Sequence, residues 1–137
     1  MKPKKLKGIG GWLIVYLIAL IISLISFSAV FFTALNYVLI SPSGQLNPVL
    51  VLMGAIIVLH VFSLILILKR SKLAIKCNIL ALWFVVATMI FSAAEVNKII
   101  LLNSIEFYLA LGDAIIWSAY FVRSKRVKNT FVKKVTF

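Results

Sequence analysis

Long apolar runs separated by short polar segments dominate this chain. Each of four runs is long enough to cross a ~30 Å hydrocarbon core as a helix, at ~1.5 Å per residue. These runs cover residues 12–35, 49–68, 73–94 and 105–122. The first run has residue 40 as an alternative end. The pattern predicts an all-α fold, a four-helix transmembrane bundle formed by a single membrane domain over residues 1–137, with a short basic tail over residues 123–137.

Composition supports membrane surroundings. Hydrophobic residues make up 64% of the chain, compared with ~45–50% in soluble globular domains. A water-soluble fold of 137 residues would have to bury more apolar surface than its volume allows. A net charge of +12 is also found in proteins that bind nucleic acid, but here the cations are confined to the ends of the apolar runs. We therefore expect membrane lipids, and no nucleic acid, as partners.

The Lys and Arg residues alternate between the two sides of the predicted membrane. Four precede the first span, none lies in the first loop, four lie between spans two and three, one lies in the last loop and six follow span four. Cytoplasmic segments carry the excess of Lys and Arg in membrane proteins. The alternation predicts that both termini are cytoplasmic. The basic cytoplasmic face should attract anionic headgroups, at ~1 kcal/mol per well-placed cation.

The basic tail carries apolar residues at a spacing of four. Val127, Phe131 and Val135 recur with Lys and Arg residues between them. Such a pattern is typical of a short interfacial helix whose cations meet lipid headgroups, and a solvated basic tail is the alternative. The candidate residues of the tail for binding lipid or a partner are Lys125, Arg126, Lys128, Phe131, Lys133 and Lys134.

Small and polar side chains form a seam along three of the spans. Steps of three and four residues keep these side chains on one helix face, and helix–helix contacts in bilayers favour small and polar groups. The seams are therefore predicted to face one another inside the bundle. Their members are Trp12, Tyr16, Ala19, Ser23, Ser26, Val30, Thr33 and Tyr37 in span one, Asn78, Ala81, Val85, Thr88, Ser92 and Glu95 in span three, and Glu106, Ala110, Asp113, Trp117, Tyr120 and Ser124 in span four.

Two ionisable side chains are expected near mid-membrane, His60 in span two and Asp113 in span four. Both spans run in the same direction, and the two side chains should lie within ~2 Å of the same depth if the helices are untilted. An unpaired Asp at that depth costs ~2.5–3.5 kcal/mol on insertion scales. We hypothesise that Asp113 hydrogen-bonds or ion-pairs with His60. In the alternative, Ser, Thr, Tyr or Trp groups of the seams, or a water, hold Asp113.

Motifs for catalysis or cofactor binding are not evident in the sequence. One Cys and one His are too few for a zinc or iron site. The Gly8–Gly11 run has no Lys-Ser/Thr pair after it and so lacks the features of a phosphate loop. We expect no enzymatic activity, no metal and no cofactor.

The two ends of the chain carry its most specific motifs, Gly8-Ile9-Gly10-Gly11-Trp12-Leu13 at the start, and Trp117, Tyr120-Phe121 and Ser124-Lys125-Arg126-Val127-Lys128-Asn129-Thr130-Phe131 at the end. In these motifs and in its order of spans, the chain resembles the bacterial membrane family catalogued as domain of unknown function twenty-five sixty-nine. The resemblance implies a small four-helix protein of the bacterial inner membrane with no established reaction, and it supplies no catalytic residue.

Two functional hypotheses follow from the sequence. The first is a small membrane scaffold or accessory subunit whose basic cytoplasmic face and tail bind anionic lipid or a protein partner, with a homo-oligomer as a further option. The alternative is a component of a proton- or ion-coupled transporter or channel that uses Asp113 and His60. A membrane enzyme is disfavoured because neither residue has a nucleophile or a metal cluster beside it in the pattern.

Overall fold

The computed structural model describes residues 9–40, 48–96 and 104–132. Four long helices follow one another in this part of the chain, and no strand occurs in it. The helices are α1 (Trp12–Ile40), α2 (Pro48–Leu68), α3 (Leu73–Val96) and α4 (Ile105–Arg123). All four are long and apolar enough to cross a membrane. The predicted all-α fold with four spans is confirmed, and the first helix ends at residue 40, the alternative end of the first run.

Two of these helices begin at residues suited to a helix start. α2 begins at Pro48, and proline fits the first helical turn because the backbone N–H that it lacks has no partner there anyway. α4 follows Ser104, whose side-chain oxygen accepts a hydrogen bond of 3.3 Å from the backbone N–H of Phe107. Such an N-cap satisfies one of the free N–H groups of the first turn. Glu106 in that turn adds a favourable interaction with the helix dipole.

The turn between α2 and α3 is closed by two backbone hydrogen bonds. The N–H of Ser71 donates to the carbonyl of Leu66 at 2.9 Å, and the N–H of Arg70 donates to the carbonyl of Ile67 at 3.0 Å. This pair of bonds forms a Schellman motif, in which the residue after the C-cap adopts a left-handed conformation. Arg70 holds that position with a φ of 51°. The site that usually favours glycine therefore carries one of the cations of the basic loop.

Arg70→Gly should raise the free energy of unfolding by about 1 kcal/mol, because glycine adopts a positive φ without the steric cost of a Cβ atom. Reversible unfolding of the purified protein in mixed detergent micelles measures this change. Lys69→Gly is the matched control, because Lys69 precedes the left-handed position, and glycine there brings no relief. Equal effects of the two substitutions would contradict the prediction.

Each long helix packs against the next one in the chain: α1 on α2, α2 on α3, and α3 on α4. The main hydrophobic core lies where α1 begins, α2 turns into α3 and α4 ends, and we call this the basic end of the bundle. The helical residues of this core are Leu13, Tyr16, Leu20, Leu66, Ile67, Ala74, Trp117 and Phe121. The opposite half is more open, with grooves of about 590 Å³ between α1 and α2 and about 550 Å³ between α2 and α3.

The seam predicted for the third span is buried at three of its positions, Asn78, Ala81 and Thr88. In the seam predicted for the first span, Tyr16 is buried and Ser23 is half-buried, whereas the other six residues are exposed. Among these six, Trp12 and Tyr37 are 68% and 76% exposed.

Besides the seam residue Tyr16, α1 buries Leu13 and Leu20, which lie outside the predicted seam. The physical reason for the difference is visible at Thr33, whose hydroxyl donates to the Ala29 carbonyl at 2.9 Å. A helical Ser or Thr can satisfy its hydroxyl on its own backbone. A hydroxyl in the sequence of a span therefore does not have to mark the face that contacts other helices.

Candidate functional site at the basic end

The tail folds back onto the bundle after Ser124. The backbone of Ser124 is extended, with φ −65° and ψ 119°, and its side chain accepts a hydrogen bond from the Val127 N–H. A short helix, α5 (Lys125–Val127), follows and continues into a π-helical turn, Lys128–Val132. Ser124 therefore ends α4 and begins the tail helix at the same point.

Apolar side chains of the tail are buried in the core at the basic end. Val127 is 0% exposed and Phe131 is 3% exposed, and both belong to the same cluster as Leu13 and Phe121. The expectation of an interfacial helix or a solvated tail is corrected here, because the two side chains contact protein instead of lipid or water. Residues 133–137 of the predicted tail, which include Lys133, Lys134 and Val135, lie outside the described residues.

The tail also covers the turn that precedes α1. Gly11 adopts a left-handed backbone conformation, with a φ of +58°. Gly10 lies against the tail, because a Cβ atom there would collide with the guanidinium of Arg126. A side chain at Gly11 would be strained, and one at Gly10 would displace Arg126. The glycine pair and the tail cation thus join the two ends of the chain, a contact that the sequence reasoning missed. Glycines immediately before a helix were the signal that could have indicated it.

Aromatic rings connect α1 to α4 beside this contact. The ring of Tyr16 meets those of Trp117 and Phe121 with centroid separations of 4.8 Å in both pairs. The ring centroid of Trp117 in turn lies 5.7 Å from that of Tyr120. All three pairs have edge-to-face geometry, which aromatic quadrupoles favour over parallel stacking. Tyr16 therefore forms the centre of the contact between the first and the last long helix.

Tyr16 also reaches α3 through a buried hydrogen bond. Its hydroxyl donates to Oδ1 of Asn78 at 2.7 Å, and Nδ2 of Asn78 donates to the Ala74 carbonyl at 2.6 Å. Asn78 is 0% exposed, so these bonds satisfy a polar group that has no access to water. One tyrosine thus connects α1, α3 and α4 at the basic end.

A double-mutant cycle with Tyr16→Phe and Asn78→Ala should give a coupling free energy of about 0.6 to 1.7 kcal/mol, the range of hydrogen bonds between membrane helices. Unfolding in mixed micelles measures it. Tyr37→Phe replaces Tyr16→Phe in a control cycle, because Tyr37 is 76% exposed. A coupling below about 0.3 kcal/mol in the first cycle would show that the bond adds nothing measurable to the contact between these helices.

The structure gives His60 and Asp113 different partners. Nδ1 of His60 donates to the Ile56 carbonyl at 2.8 Å, and the ring lies 5.7 Å from that of Phe27. Asp113 is exposed and receives a side-chain hydrogen bond from Trp117. No hydrogen bond or ion pair joins His60 to Asp113. The reason lies in the order of packing, since α2 contacts mainly α1 and α3, whereas α4 contacts mainly α3.

The remaining predicted site residues occupy different environments. Among the seam residues, Thr88 and Trp117 are buried, Ser26 is exposed, and Ser23, Ser92 and Tyr120 are half-buried, while the side chain of Glu95 lies outside the described part. The tail cations Lys125 and Lys128 are exposed, and Arg126 is half-buried. Within residues 9–40, 48–96 and 104–132, no group of three His, Cys, Asp or Glu side chains is placed to hold a metal ion.

The model of a protein family described as a protein of unknown function, DUF2569, matches residues 6–132. The chain belongs to the DUF2569 family. No curated protein and no solved structure matches it. The range that matches the family runs from before the Gly10–Gly11 turn to the end of the docked tail, so it contains both of the segments that meet at the basic end. The four apolar helices, together with this family membership, support a multi-pass membrane protein, and the description of the family names no reaction.

Proposed function

We propose that this DUF2569 chain is a small membrane scaffold or accessory subunit whose basic end binds anionic lipid headgroups or a protein partner. The observation that carries the proposal is the distribution of charge. The Lys and Arg side chains that the structure describes all belong to the basic end, and all but Arg126 are exposed: Lys69, Arg70, Lys72, Lys76, Arg123, Lys125, Arg126 and Lys128.

Anionic lipid is the ligand that this surface favours over a protein partner. The docked tail keeps Val127 and Phe131 inside the core, so it presents cations to its surroundings and few apolar anchors. Protein interfaces generally depend on buried aromatic and aliphatic anchors, whereas headgroup binding depends on closely spaced cations near the membrane surface. Docking also restricts the tail before a ligand binds, which lowers the ordering cost of binding.

The proposed location is the inner membrane, with the basic end in the cytoplasm. Lys and Arg are enriched on the cytoplasmic side of membrane proteins. In that orientation, the cations face the leaflet rich in anionic headgroups, which attract basic segments within a Debye length of the surface. Orientation and function are thus supported by the same charge asymmetry.

Lipid selectivity in proteoliposomes tests this function. Spin-labelled phosphatidylglycerol and phosphatidylcholine report how strongly each lipid associates with the protein. The preference for phosphatidylglycerol should fall at least tenfold in the variant that combines Lys69→Gln, Lys72→Gln and Lys125→Gln, because each cation adds ~1 kcal/mol to the binding of anionic lipid. Salt at 1 M should reduce the preference of the native chain, because the Debye length falls to ~3 Å.

Glu106→Gln is the matched control for charge, because Glu106 lies in the first turn of α4 at the opposite end of the bundle. It should leave the lipid preference unchanged. An unchanged preference in the triple variant would contradict lipid binding at the basic end and would favour a protein partner instead.

Transport through Asp113 and His60 remains the alternative proposal, and the geometry supports it less. Their hydrogen bonds go to Trp117 and Ile56 respectively, and a proton path across a bundle needs titratable groups in sequence along it. Proton or ion flux into proteoliposomes that Asp113→Asn abolishes would favour this alternative over the scaffold.

A further inference from the structure

Asp113 occupies an unusual position for a carboxylate in a membrane helix. It lies about 12 Å from Ile105 and about 15 Å from Arg123 along α4, at ~1.5 Å per residue. It is therefore near the middle of the span, and its side chain is exposed on the surface of the bundle. Ionisable groups at this depth almost always face a protein interior or a water-filled cavity. An exposed aspartate at mid-span indicates that the single chain does not complete its surroundings.

The contacts of Asp113 within the chain leave much of its hydrogen-bonding capacity unused. Trp117, one turn further along α4, supplies a side-chain hydrogen bond to the carboxylate. An ionised carboxylate has about four lone-pair sites for hydrogen bonds. The described spans offer no Lys or Arg at this depth, since Lys76 is in the first turn of α3. Among the described residues, no Lys or Arg is placed to pair with Asp113, so another molecule would have to supply such a cation.

The surface around Asp113 is shaped for close approach by another helix. Leu109, Gly112, Asp113 and Ile116 are neighbours on one patch of α4, at positions i, i+3, i+4 and i+7, and we call them the Asp113 patch. Leu109 and Ile116 are each 65% exposed. A Cβ atom on Gly112 would meet nothing within 4 Å. Small residues at such patches let the backbones of membrane helices approach closely.

We propose that the Asp113 patch docks a transmembrane helix of another membrane protein, and that this helix carries a Lys or Arg near mid-membrane. Charge complementarity supports the choice, because an isolated Lys or Arg at that depth is as costly as an isolated Asp and their pairing relieves both costs. A second copy of this chain fits less well. At the same depth it offers Asp113 itself and His60, which is 3% exposed and bonded to Ile56.

A designed helix serves as the probe for this site. The full chain, labelled with an acceptor fluorophore, is reconstituted in phosphatidylcholine vesicles with donor-labelled oligoleucine peptides of transmembrane length. One peptide has a single Lys at its centre, a second has Leu there, and a third has the Lys near one end. Energy transfer should show that the central-Lys peptide associates at least tenfold more tightly than the other two. This gain should disappear with Asp113→Asn, which keeps the side-chain size and removes the charge.

Two further variants separate a docking site from a general effect on folding. Gly112→Leu should weaken binding of the central-Lys peptide at least fivefold without unfolding the chain, since the side chain enters open space. Val58→Asn is the matched control, because Val58 is also exposed, at 67%, but lies near the middle of α2 and not on α4. It should leave peptide binding unchanged.

Equal association of the three peptides, or association that survives Asp113→Asn, would overturn the proposal. Energy transfer between two labelled copies of the chain that is abolished by Asp113→Asn would also overturn it, in favour of a second copy as the occupant. Failure of this test would leave the lipid preference of the basic end unaffected, because the two experiments use different residues.

Discussion

Phe121→Ala should lower the free energy of unfolding by about 3 kcal/mol, near the lower end of the range for truncating a buried Phe. Phe121 is 1% exposed, and the centroid of its ring lies 4.8 Å from that of the Tyr16 ring. In a bilayer, the lost stability comes mainly from van der Waals contacts and the remaining cavity, because lipid itself accepts an apolar side chain well. Loss of this ring should also loosen the contact between α1 and α4, which depends on Tyr16. Unfolding in mixed micelles measures the change.

Phe32→Ala is the control for this prediction. The ring of Phe32 is 61% exposed on α1, so its removal should change the free energy of unfolding by less than about 0.5 kcal/mol. Similar losses for both substitutions would mean that the basic end is not the stabilising core of the bundle.

Val127→Asn should release the tail from the bundle. The side chain of Val127 is 0% exposed, and an amide at this position loses apolar burial and leaves polar groups without partners, a combined cost of about 3 kcal/mol. Because the tail begins beyond the end of the last span, water is available to it once it undocks. Amide hydrogen exchange of residues 125–132 should then accelerate by about 100-fold, as expected for a local opening that has become about 3 kcal/mol easier.

Lys128→Asn is the matched control, because Lys128 is the exposed neighbour of Val127 in the same short segment. It removes a charge without opening the core, and exchange should change by less than about threefold. If exchange in the native chain were already as fast as in an unfolded peptide, the docked tail would be excluded.

Local properties of the sequence were enough to predict which segments form long helices and in what order. Length and apolarity alone predicted four spans, and the second apolar run, residues 49–68, begins one residue after the start of α2. The seam of the third span was also predictable, because Asn78 has no favourable place on a lipid-facing surface. In the seam of the first span only Tyr16 is buried. A hydroxyl such as that of Thr33 bonds to Ala29 on its own helix and does not need a neighbouring helix.

The sequence did not show which helices pack against one another. The depth calculation placed His60 and Asp113 at the same level, yet depth does not say which helices touch or which way their faces turn. α2 packs against α1 and α3, while α4 packs against α3. The two residues thus have separate partners. Only the packing of all four helices together shows that Asp113 is exposed.

By itself, the sequence determined that this chain belongs in a membrane, how many helices can cross it and where the cations gather, because these properties are sums over local residues. Tertiary structure decided what the two ends of the chain do. It brought Arg126 over Gly10, buried Val127 in the same core as Leu13 and joined Tyr16 to Asn78. These contacts join residues far apart in the chain. Their formation depends on the orientation of every helix in the bundle, which no local pattern encodes.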